Sequence, residues 1–426
     1  MMKQLIKQTL AQLRTQKMLT TIGIIGTALS IFLIMVVVML HQVQVAPYAP
    51  VSNRPRMLHA QWASVHMIEN HYYQSNGPIS TESAKRQFGS LSTPEAVTLY
   101  SANITPVNIK EAGGTPIGTD MRGTDENYWK IFDFTFLNGK PYSQADVESA
   151  HQIAVIDAST ARKLFGTTEA TGREFQLDYV PYTVCGVVRD VSTLADGAFS
   201  HIWIPHTTTQ EETWCYGLMG DKSVTILARS SDDFDEIRAE YERMVAEYNK
   251  EVAETGWEFK TLNRPYTQEK SVAGGGANME PDEKAQRRQR WIIYAILLIV
   301  PAINLSGMTE SRMRRRVEEI GVRRAFGCTR LQLLGQLFGE NLLITLVAGL
   351  IGWMMGVAFA FFFSNFLFAD GYSNTTTEPL VDINMLIQPS TLGMALLFCF
   401  VLNLLSSGLP AWKASRTNIV NAINKH

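Results

Sequence analysis

Four apolar runs of membrane length divide this chain. They cover residues 19–40, 291–308, 333–368 and 391–410, and a helix needs roughly 20 such residues to cross a bilayer. The segment 41–280 between the first two runs is polar enough to fold in water, and the mean hydropathy of −0.02 is too low for a chain embedded mostly in lipid. The predicted fold class is a membrane α-helical protein with four transmembrane helices and an α+β extracytoplasmic domain of two lobes.

Lysine and arginine predict the orientation of the runs. They are concentrated in the leader 1–18, in the loop 312–332 and in the tail 411–426, and the positive-inside rule places such segments in the cytoplasm. The loop 369–390 has three acids and no base, so we expect it outside together with 41–280. The prediction is a multi-pass membrane protein with both termini cytoplasmic and the large domain outside.

Two segments beside the first and second runs are predicted to touch membrane lipids. The leader 1–18 alternates apolar and basic helical faces, a pattern typical of a helix that lies on an anionic leaflet. The segment 281–311 is predicted to be a stalk helix that continues as the second span, and its basic residues at 284–290 suit phospholipid headgroups.

The loop 312–332 has helix signals of its own. Glu319 precedes Arg323 by four residues, the favourable order for an ion pair on a helix surface. Gly327 predicts the end of that helix, and Thr329 with Gln332 forms a capping-box pattern that starts the next. The loop is therefore predicted to be a rigid, positively charged elbow; the plainer alternative is an ordinary cytoplasmic loop.

The extracytoplasmic segment 41–280 is predicted to contain two lobes. Strand and helix patterns assign an α/β lobe to 57–110 and 222–265, and a strand-rich stretch predicts an inserted lobe at about 115–215. Within these lobes, one short helix is predicted to start at Ser80 or Thr81, and another is predicted at Ala158–Phe165, ended by Gly166. A glycine-rich stretch at 274–278 is predicted to be a flexible joint. Cys185 and Cys215 could pair outside the cytoplasm, although the apolar strand around Cys185 favours a buried free thiol.

The amino-acid sequence of several segments resembles that of a known family. The run E-E-I-G-V-R-R-A-F-G-C-T-R, followed by E-N-L-L-I-T-L-V-A-G-L-I-G-W, is similar to permeases of the MacB and FtsX type, and I-A-V-I-D-A-S-T-A-R-K-L-F-G with Y-T-V-C-G-V-V-R-D-V resembles the MacB periplasmic core domain. In that family the elbow is a coupling helix seated in an ATPase. Phe326 and Cys328 depart from the family pattern. The matching coupling positions are Glu319, Ile320, Gly321, Arg323, Ala325 and Gly327.

The resemblance implies a permease subunit of an ABC transporter in the bacterial inner membrane, with the large domain in the periplasm. It would transmit the motion of a separate cytoplasmic ATPase to the extracytoplasmic domain, for export or efflux. Implied partners are a second permease copy or a homologous permease, a periplasmic adaptor and an outer-membrane channel, and nucleic acid is not among them. The alternatives are mechanotransmission of the FtsX or Lol kind, which activates wall enzymes or releases lipoproteins, and a membrane-anchored sensor without an ATPase.

No motif in the sequence predicts catalysis. The phosphate-binding pattern G-x-x-x-x-G-K-[ST] is absent, so ATP and magnesium are expected in the partner ATPase and no cofactor in this chain. No histidine pair has zinc-ligand spacing, and no catalytic or metal residue is predicted. The histidines of the extracytoplasmic segment are interpreted as scattered core or surface residues.

Two groups in the apolar runs are candidates for transmitting force. Gly349, Gly352 and Gly356 allow close helix approach, either within the chain or in a dimer. Pro301 and Asn304 are hinge candidates in the second run, because proline interrupts helix hydrogen bonding and a buried amide seeks a neighbouring helix; simple helix packing is the alternative.

Overall fold

The computed structural model describes residues 17–111, 113–315, 326–368 and 383–415. They divide into two compact units. The helical unit contains the described residues up to Val43, Arg287–Leu367 and those from Ile383 onward, and the α/β unit contains Gln44–Gln286 with Phe368.

The α/β unit contains both helices and strands, whereas the described residues of the helical unit form helices alone. The helices are α1 Lys17–Val45, α2 Thr81–Phe88, α3 Tyr128–Ile131, α4 Gln144–Glu148, α5 Ala158–Phe165, α6 Phe234–Val252, α7 Gln268–Ser271, α8 Glu283–Arg315, α9 Arg330–Phe362, α10 Ser364–Phe368, α11 Ile383–Leu386 and α12 Pro389–Ser415. The strands are β1 Met57–Ala60, β2 Ala63–Met67, β3 Gln74–Gly77, β4 Ala96–Ser101, β5 Thr105–Lys110, β6 Ile117–Thr124, β7 Phe136–Gly139, β8 Ile153–Asp157, β9 Glu174–Leu177, β10 Val180–Val188, β11 Ile202–Pro205, β12 Lys222–Leu227, β13 Trp257–Phe259 and β14 Tyr266–Thr267.

Four strands of the main sheet have a ferredoxin-like arrangement. Their order is β4-β12-β1-β14, and β1 is antiparallel to both of its neighbours. Helix α2 lies between β1 and β4 in the chain and α6 lies between β12 and β14, so each helix connects two parallel strands that are separated by a third, as in a split βαβ unit. Side chains such as Phe88, Tyr241 and Ile226 pack together in the core beneath these helices.

The signals for α2 and α5 are local and are confirmed. Ser80 accepts a hydrogen bond from the backbone N–H of Ser83 and so caps α2, because its hydroxyl satisfies one of the free donors at the helix start. Helix α5 runs over the predicted residues and ends at Gly166, whose φ of +71° is a left-handed C-cap.

Six of the seven remaining strands of the main sheet close a ring, and the seventh, β7, pairs with β10. The order β11-β8-β10-β9-β5-β6 continues through hydrogen-bonded pairs, and β11 also pairs with β6, which makes six strands without a free edge. Tyr100 and Thr124 pair β4 with β6 and join the ring to the ferredoxin-like part. A separate three-stranded sheet has the order β13-β2-β3.

Strand β5 lies at the end of the predicted α/β lobe 57–110 and joins the ring. It pairs with β6 and β9, and Val107 and Ile109 lie in the core of the ring. The strand follows β4 closely in the chain, and periodicity does not reveal which partner a strand selects. The division into two lobes stays a prediction, because one sheet runs through both cores.

Three described helices are long and apolar enough to cross a membrane, as judged by length and composition. These candidate spans are Thr21–Val45, Leu334–Phe362 and Pro389–Gly408. The third predicted run, 333–368, is divided at Phe363 between α9 and α10. The second predicted run lies inside the single helix α8, and the count of four spans stays a prediction. Most of the loop 369–390, the leader 1–16 and most of the tail 411–426 lie outside the described residues.

Acid should destabilise the α/β unit partly through His206. This side chain is 8% exposed, and burial, with smaller effects from Lys222 and Lys85, lowers its pKa from 6.5 to about 4. The unfolded chain therefore binds a proton below about pH 6.5, whereas the folded chain does not until about pH 4. Stability from this group is complete above pH 6.5 and falls by up to about 3 kcal/mol toward pH 4.

Urea unfolding at pH 7.5 and pH 5 measures this effect. We expect His206→Gln to lose less stability on acidification than the wild type, and His71→Gln, a change at an exposed residue, to lose as much. Asp125 acts in the opposite direction, because burial raises its pKa to about 7, so each variant is compared with the wild type at both pH values. Equal acid sensitivity of His206→Gln and the wild type would contradict the assignment.

Candidate functional site

The elbow leads into α9 through a capping box. The Thr329 side chain accepts a hydrogen bond from the Gln332 backbone, and the Gln332 side chain accepts one from the Thr329 backbone at 3.0 Å. This confirms the predicted helix start. Gly327 has a φ of +90°, a conformation that suits glycine. The other predicted coupling residues lie outside the described residues: Glu319, Ile320, Gly321, Arg323 and Ala325.

Two exposed apolar side chains lie at the start of α9. Phe326, before the capping box, is 88% exposed, and Leu331, inside it, is 79% exposed. Both precede the candidate span that begins at Leu334. Phe326 was predicted only as a departure from a family pattern, and the available signal for its exposure was an aromatic residue inside a basic loop.

The glycine row of α9, which consists of Gly349, Gly352 and Gly356, packs against helices of the same chain. A methyl group built on Gly352 would lie 2.4 Å from the carbonyl oxygen of Ala28 in α1, and one on Gly356 would lie 3.3 Å from Met35. A methyl group on Gly349 would lie 2.1 Å from the sulfur of Cys399 in α12. The glycines therefore let α9 approach two helices closely. A dimer contact through these residues stays a prediction.

A double-mutant cycle should reveal the contact between Gly349 and Cys399. Gly349→Ala places a methyl group on the Cys399 sulfur, so we expect a lower thermal midpoint in detergent, at a cost of about 1–3 kcal/mol. Cys399→Ala removes that sulfur, and the double variant should recover most of the loss. A double variant whose loss equals the sum of the two single losses would show that the residues do not touch.

A polar group also connects α9 with α12. The Asn403 amide, fully buried, donates to the Phe338 backbone oxygen at 3.4 Å and accepts from Ser407 at 3.2 Å. On α9, Gln336 donates to the buried carboxylate of Glu340 at 3.0 Å. Amide side chains inside a helix bundle stabilise the packing of neighbouring helices through hydrogen bonds. The sequence analysis missed Asn403, although an isolated amide in an apolar run was the available signal.

The two hinge candidates lie on one continuous helix. Pro301 and Asn304 are both inside α8, which runs unbroken from Glu283 to Arg315. Their hinge role stays a prediction.

Hydrogen bonds hold the segment 273–286 against other residues of the α/β unit. This corrects the prediction of a flexible joint at 274–278. Glu280 accepts hydrogen bonds from Asn263, at 2.7 Å, and from Lys270. Arg264 donates to the Ala277 backbone oxygen at 2.5 Å, and Gln286 donates to that of Ala273. Glycine composition indicated backbone freedom, but side chains distant in sequence supply the anchoring contacts.

The cysteines of the α/β unit are free. The thiol of Cys185 donates to the Ala154 backbone oxygen at 3.3 Å, and burial raises its pKa to about 12. Cys185 is therefore a free thiol, as the favoured interpretation has it, but it is half-buried rather than buried. Among the residues that the structure describes, no cluster of histidine, cysteine and acidic side chains could hold a metal ion.

Two family models match the chain. The MacB-like periplasmic core domain matches residues 18–244, which is more than half of the 426 residues, and the FtsX-like permease C-terminal domain matches residues 291–419.

Relatives with the same domains are similar to this chain over part of their length. "Macrolide export ATP-binding/permease protein MacB" of Chromobacterium violaceum is 23% identical over 72% of this chain and 43% of its own length. The protein of that name from Neisseria meningitidis serogroup A is 24% identical over 76% of this chain and 47% of its own length. This chain therefore spans less than half the length of these relatives.

Solved structures include the periplasmic region of MacB from Actinobacillus actinomycetemcomitans. It is 15% identical, with a TM-score of 0.33, over 48% of this chain and 89% of its own length; this score is too low to support an argument about the fold. The family matches do not depend on it. On their evidence this chain belongs to the MacB-like family of ABC transporter permeases.

Proposed function

We propose that this chain is a permease subunit that transmits ATP-driven motion of a separate cytoplasmic ATPase to its extracytoplasmic domain, for export or efflux. The observation that carries the proposal is the capped start of α9. The capping box at Thr329 follows an exposed Phe326 and continues directly into a helix that is packed through its glycine row on α1 and α12. A push on the elbow would therefore move three helices together.

The proposal places the elbow in the cytoplasm and the α/β unit in the periplasm. Supporting it, the basic residues of the chain are concentrated in the leader, the elbow and the tail, where the positive-inside rule expects them. ATP and magnesium would bind to the ATPase. A second permease copy or a homologous permease would complete the transport unit, since so few spans do not enclose a path alone.

The export role is supported by relatives whose names describe macrolide export proteins. Those names also include ATP binding, and this sequence contains no phosphate-binding pattern of the Walker type. In the proposed unit an adaptor and an outer-membrane channel would continue the route beyond the periplasmic domain.

Coupling through the elbow should be lost when its surface is changed. Glu319→Lys reverses a charge at a predicted coupling position, and Phe326→Asp removes the exposed aromatic side chain. We expect each variant to recover at least about tenfold less ATPase on co-purification with the tagged chain, because loss of a central contact costs roughly 2 kcal/mol or more. The ATPase followed is the one that co-purifies with the tagged wild-type chain.

The matched control is Tyr179→Asp, which introduces the same side chain at a residue of the α/β unit that is 80% exposed. Its ATPase recovery should equal that of the wild type. Unchanged recovery in both elbow variants, with normal membrane levels of the chain, would refute coupling through this elbow and favour a sensor that needs no ATPase.

A further inference from the structure

A buried arginine in the α/β unit lacks a counter-charge. Arg264 is 3% exposed, and its Nη2 donates to the Ala277 backbone oxygen at 2.5 Å. Its Nη1 has no hydrogen-bond partner among the described residues, and none of their carboxylates forms an ion pair with it. Burial lowers the pKa of Arg264. Buried charges in proteins are normally paired, because an isolated one is costly.

The acidic groups of this region are already engaged. Glu280 accepts from Lys270 and Asn263, and Asp196, whose charge acts on His59, accepts from Gln61 at 3.0 Å. The Tyr266 ring lies 5.6 Å from the guanidinium and offers only the weak attraction of a cation for an aromatic face. No carboxylate in the described part of the chain therefore pairs with the positive charge of Arg264.

A small cavity lies beside this arginine. Its volume is about 40 Å³, which is room for a few water-sized occupants at ~10–15 Å³ each and too small for an organic cargo. Nε2 of His59 is a second buried nitrogen that has no hydrogen-bond partner among the described residues, and His59 belongs to the lining of the cavity. His59 is 7% exposed, and burial lowers its pKa to about 4, so at neutral pH it adds no charge and can donate from Nε2.

We propose that this cavity binds a small inorganic anion of halide size, held by the guanidinium of Arg264 and by Nε2–H of His59. The anion supplies the missing counter-charge and satisfies two buried nitrogens at once. The backbone of Gly274, Gly275 and Gly276 forms one side of the cavity, on the segment that Arg264 also fastens at Ala277. Binding of the anion in the cavity therefore stabilises the contact of this segment with Arg264, and the segment leads into α8.

Bromide binding tests the proposal on the full chain in lipid nanodiscs. Trp62 belongs to the cavity lining, and bromide quenches tryptophan emission. Replacing sodium gluconate by sodium bromide at constant ionic strength should give a saturable quenching component that is lost in Trp62→Phe. The thermal midpoint should rise by at least a few degrees along the same binding curve. Arg264→Gln should abolish both effects.

Arg56→Gln is the matched control, because Arg56 is half-exposed and pairs with the carboxylate of Glu95 at 2.9 Å. It should retain the bromide response. If Arg264→Gln does not fold, the proposal is tested with wild-type crystals soaked in bromide. An anomalous diffraction peak within hydrogen-bond distance of Arg264 supports the proposal. Ordered water alone at that place overturns it. A linear, non-saturable quench with no change in thermal midpoint also overturns it. None of these measurements uses an ATPase, so their outcome is independent of the proposed transport role.

Discussion

Gly352→Ala should destabilise the helical unit, whereas the same substitution at Gly335 should not. A methyl group on Gly352 would lie 2.4 Å from the carbonyl oxygen of Ala28 and 3.0 Å from the backbone nitrogen of Phe32. These are backbone atoms of α1, so the clash is relieved only if one helix moves away from the other. Overpacking of this kind costs about 1–3 kcal/mol, and occasionally more.

Gly335 is the matched control for Gly352 because it lies on the same helix. No atom lies within 4 Å of a methyl group built there, and alanine is favoured over glycine in a helix interior by about 1 kcal/mol. The two substitutions should therefore shift the thermal midpoint of the detergent-solubilised chain in opposite directions. A loss of the same size in both variants would mean that Gly352 does not set the distance between α1 and α9.

Trp203→Ala should cause the largest loss of stability in the α/β unit. The side chain is fully buried and packs against the rings of Trp129 and Phe134, at centroid distances of 6.2 and 5.2 Å. Its indole nitrogen donates to Tyr128 at 3.3 Å. Removing a buried tryptophan costs about 3–5 kcal/mol, since the cavity collapses only partly.

The position of Trp203 in the sheet enlarges its effect. It lies in β11, opposite Arg122 of β6 and Val155 of β8, where the six-stranded ring closes. Urea unfolding followed by circular dichroism should show a lower midpoint for Trp203→Ala, and a smaller loss for Trp203→Phe, which keeps most of the ring volume. Trp214→Ala, a change at an exposed residue, should leave the midpoint within the usual range for surface changes, about ±0.5 kcal/mol. Equal effects at the two tryptophans would contradict this account.

Signals that act within a few residues were sufficient to predict several features. The capping box of Thr329 and Gln332, the cap of Ser80 and the left-handed Gly166 all satisfy backbone groups of their own helix, so their geometry is specified by neighbours in the chain. Long apolar runs likewise predict candidate spans, because hydrophobic length is a property of the run itself. The resemblance that led to the family also came from contiguous segments.

Contacts between distant residues were not predictable in the same way. The glycine row was recognised, but its intramolecular neighbours in α1 and α12 were not, because periodicity shows that a face permits close approach and not which helix approaches it. The glycine stretch at 274–278 indicated backbone freedom, but Arg264 donates to the Ala277 backbone oxygen and Asn263 donates to Glu280 just beyond the stretch.

By itself, the sequence determined the apolar runs, the helix caps, the segment orientation expected from charge and the family, since each depends on contiguous residues. Only the tertiary structure decided that β5 joins the ring, that Gly352 lies against Ala28, and that Arg264 and His59 meet at one cavity. The physical reason is that strand pairing, helix contact and the burial of a charge depend on groups brought together by folding, and no local pattern encodes their partners.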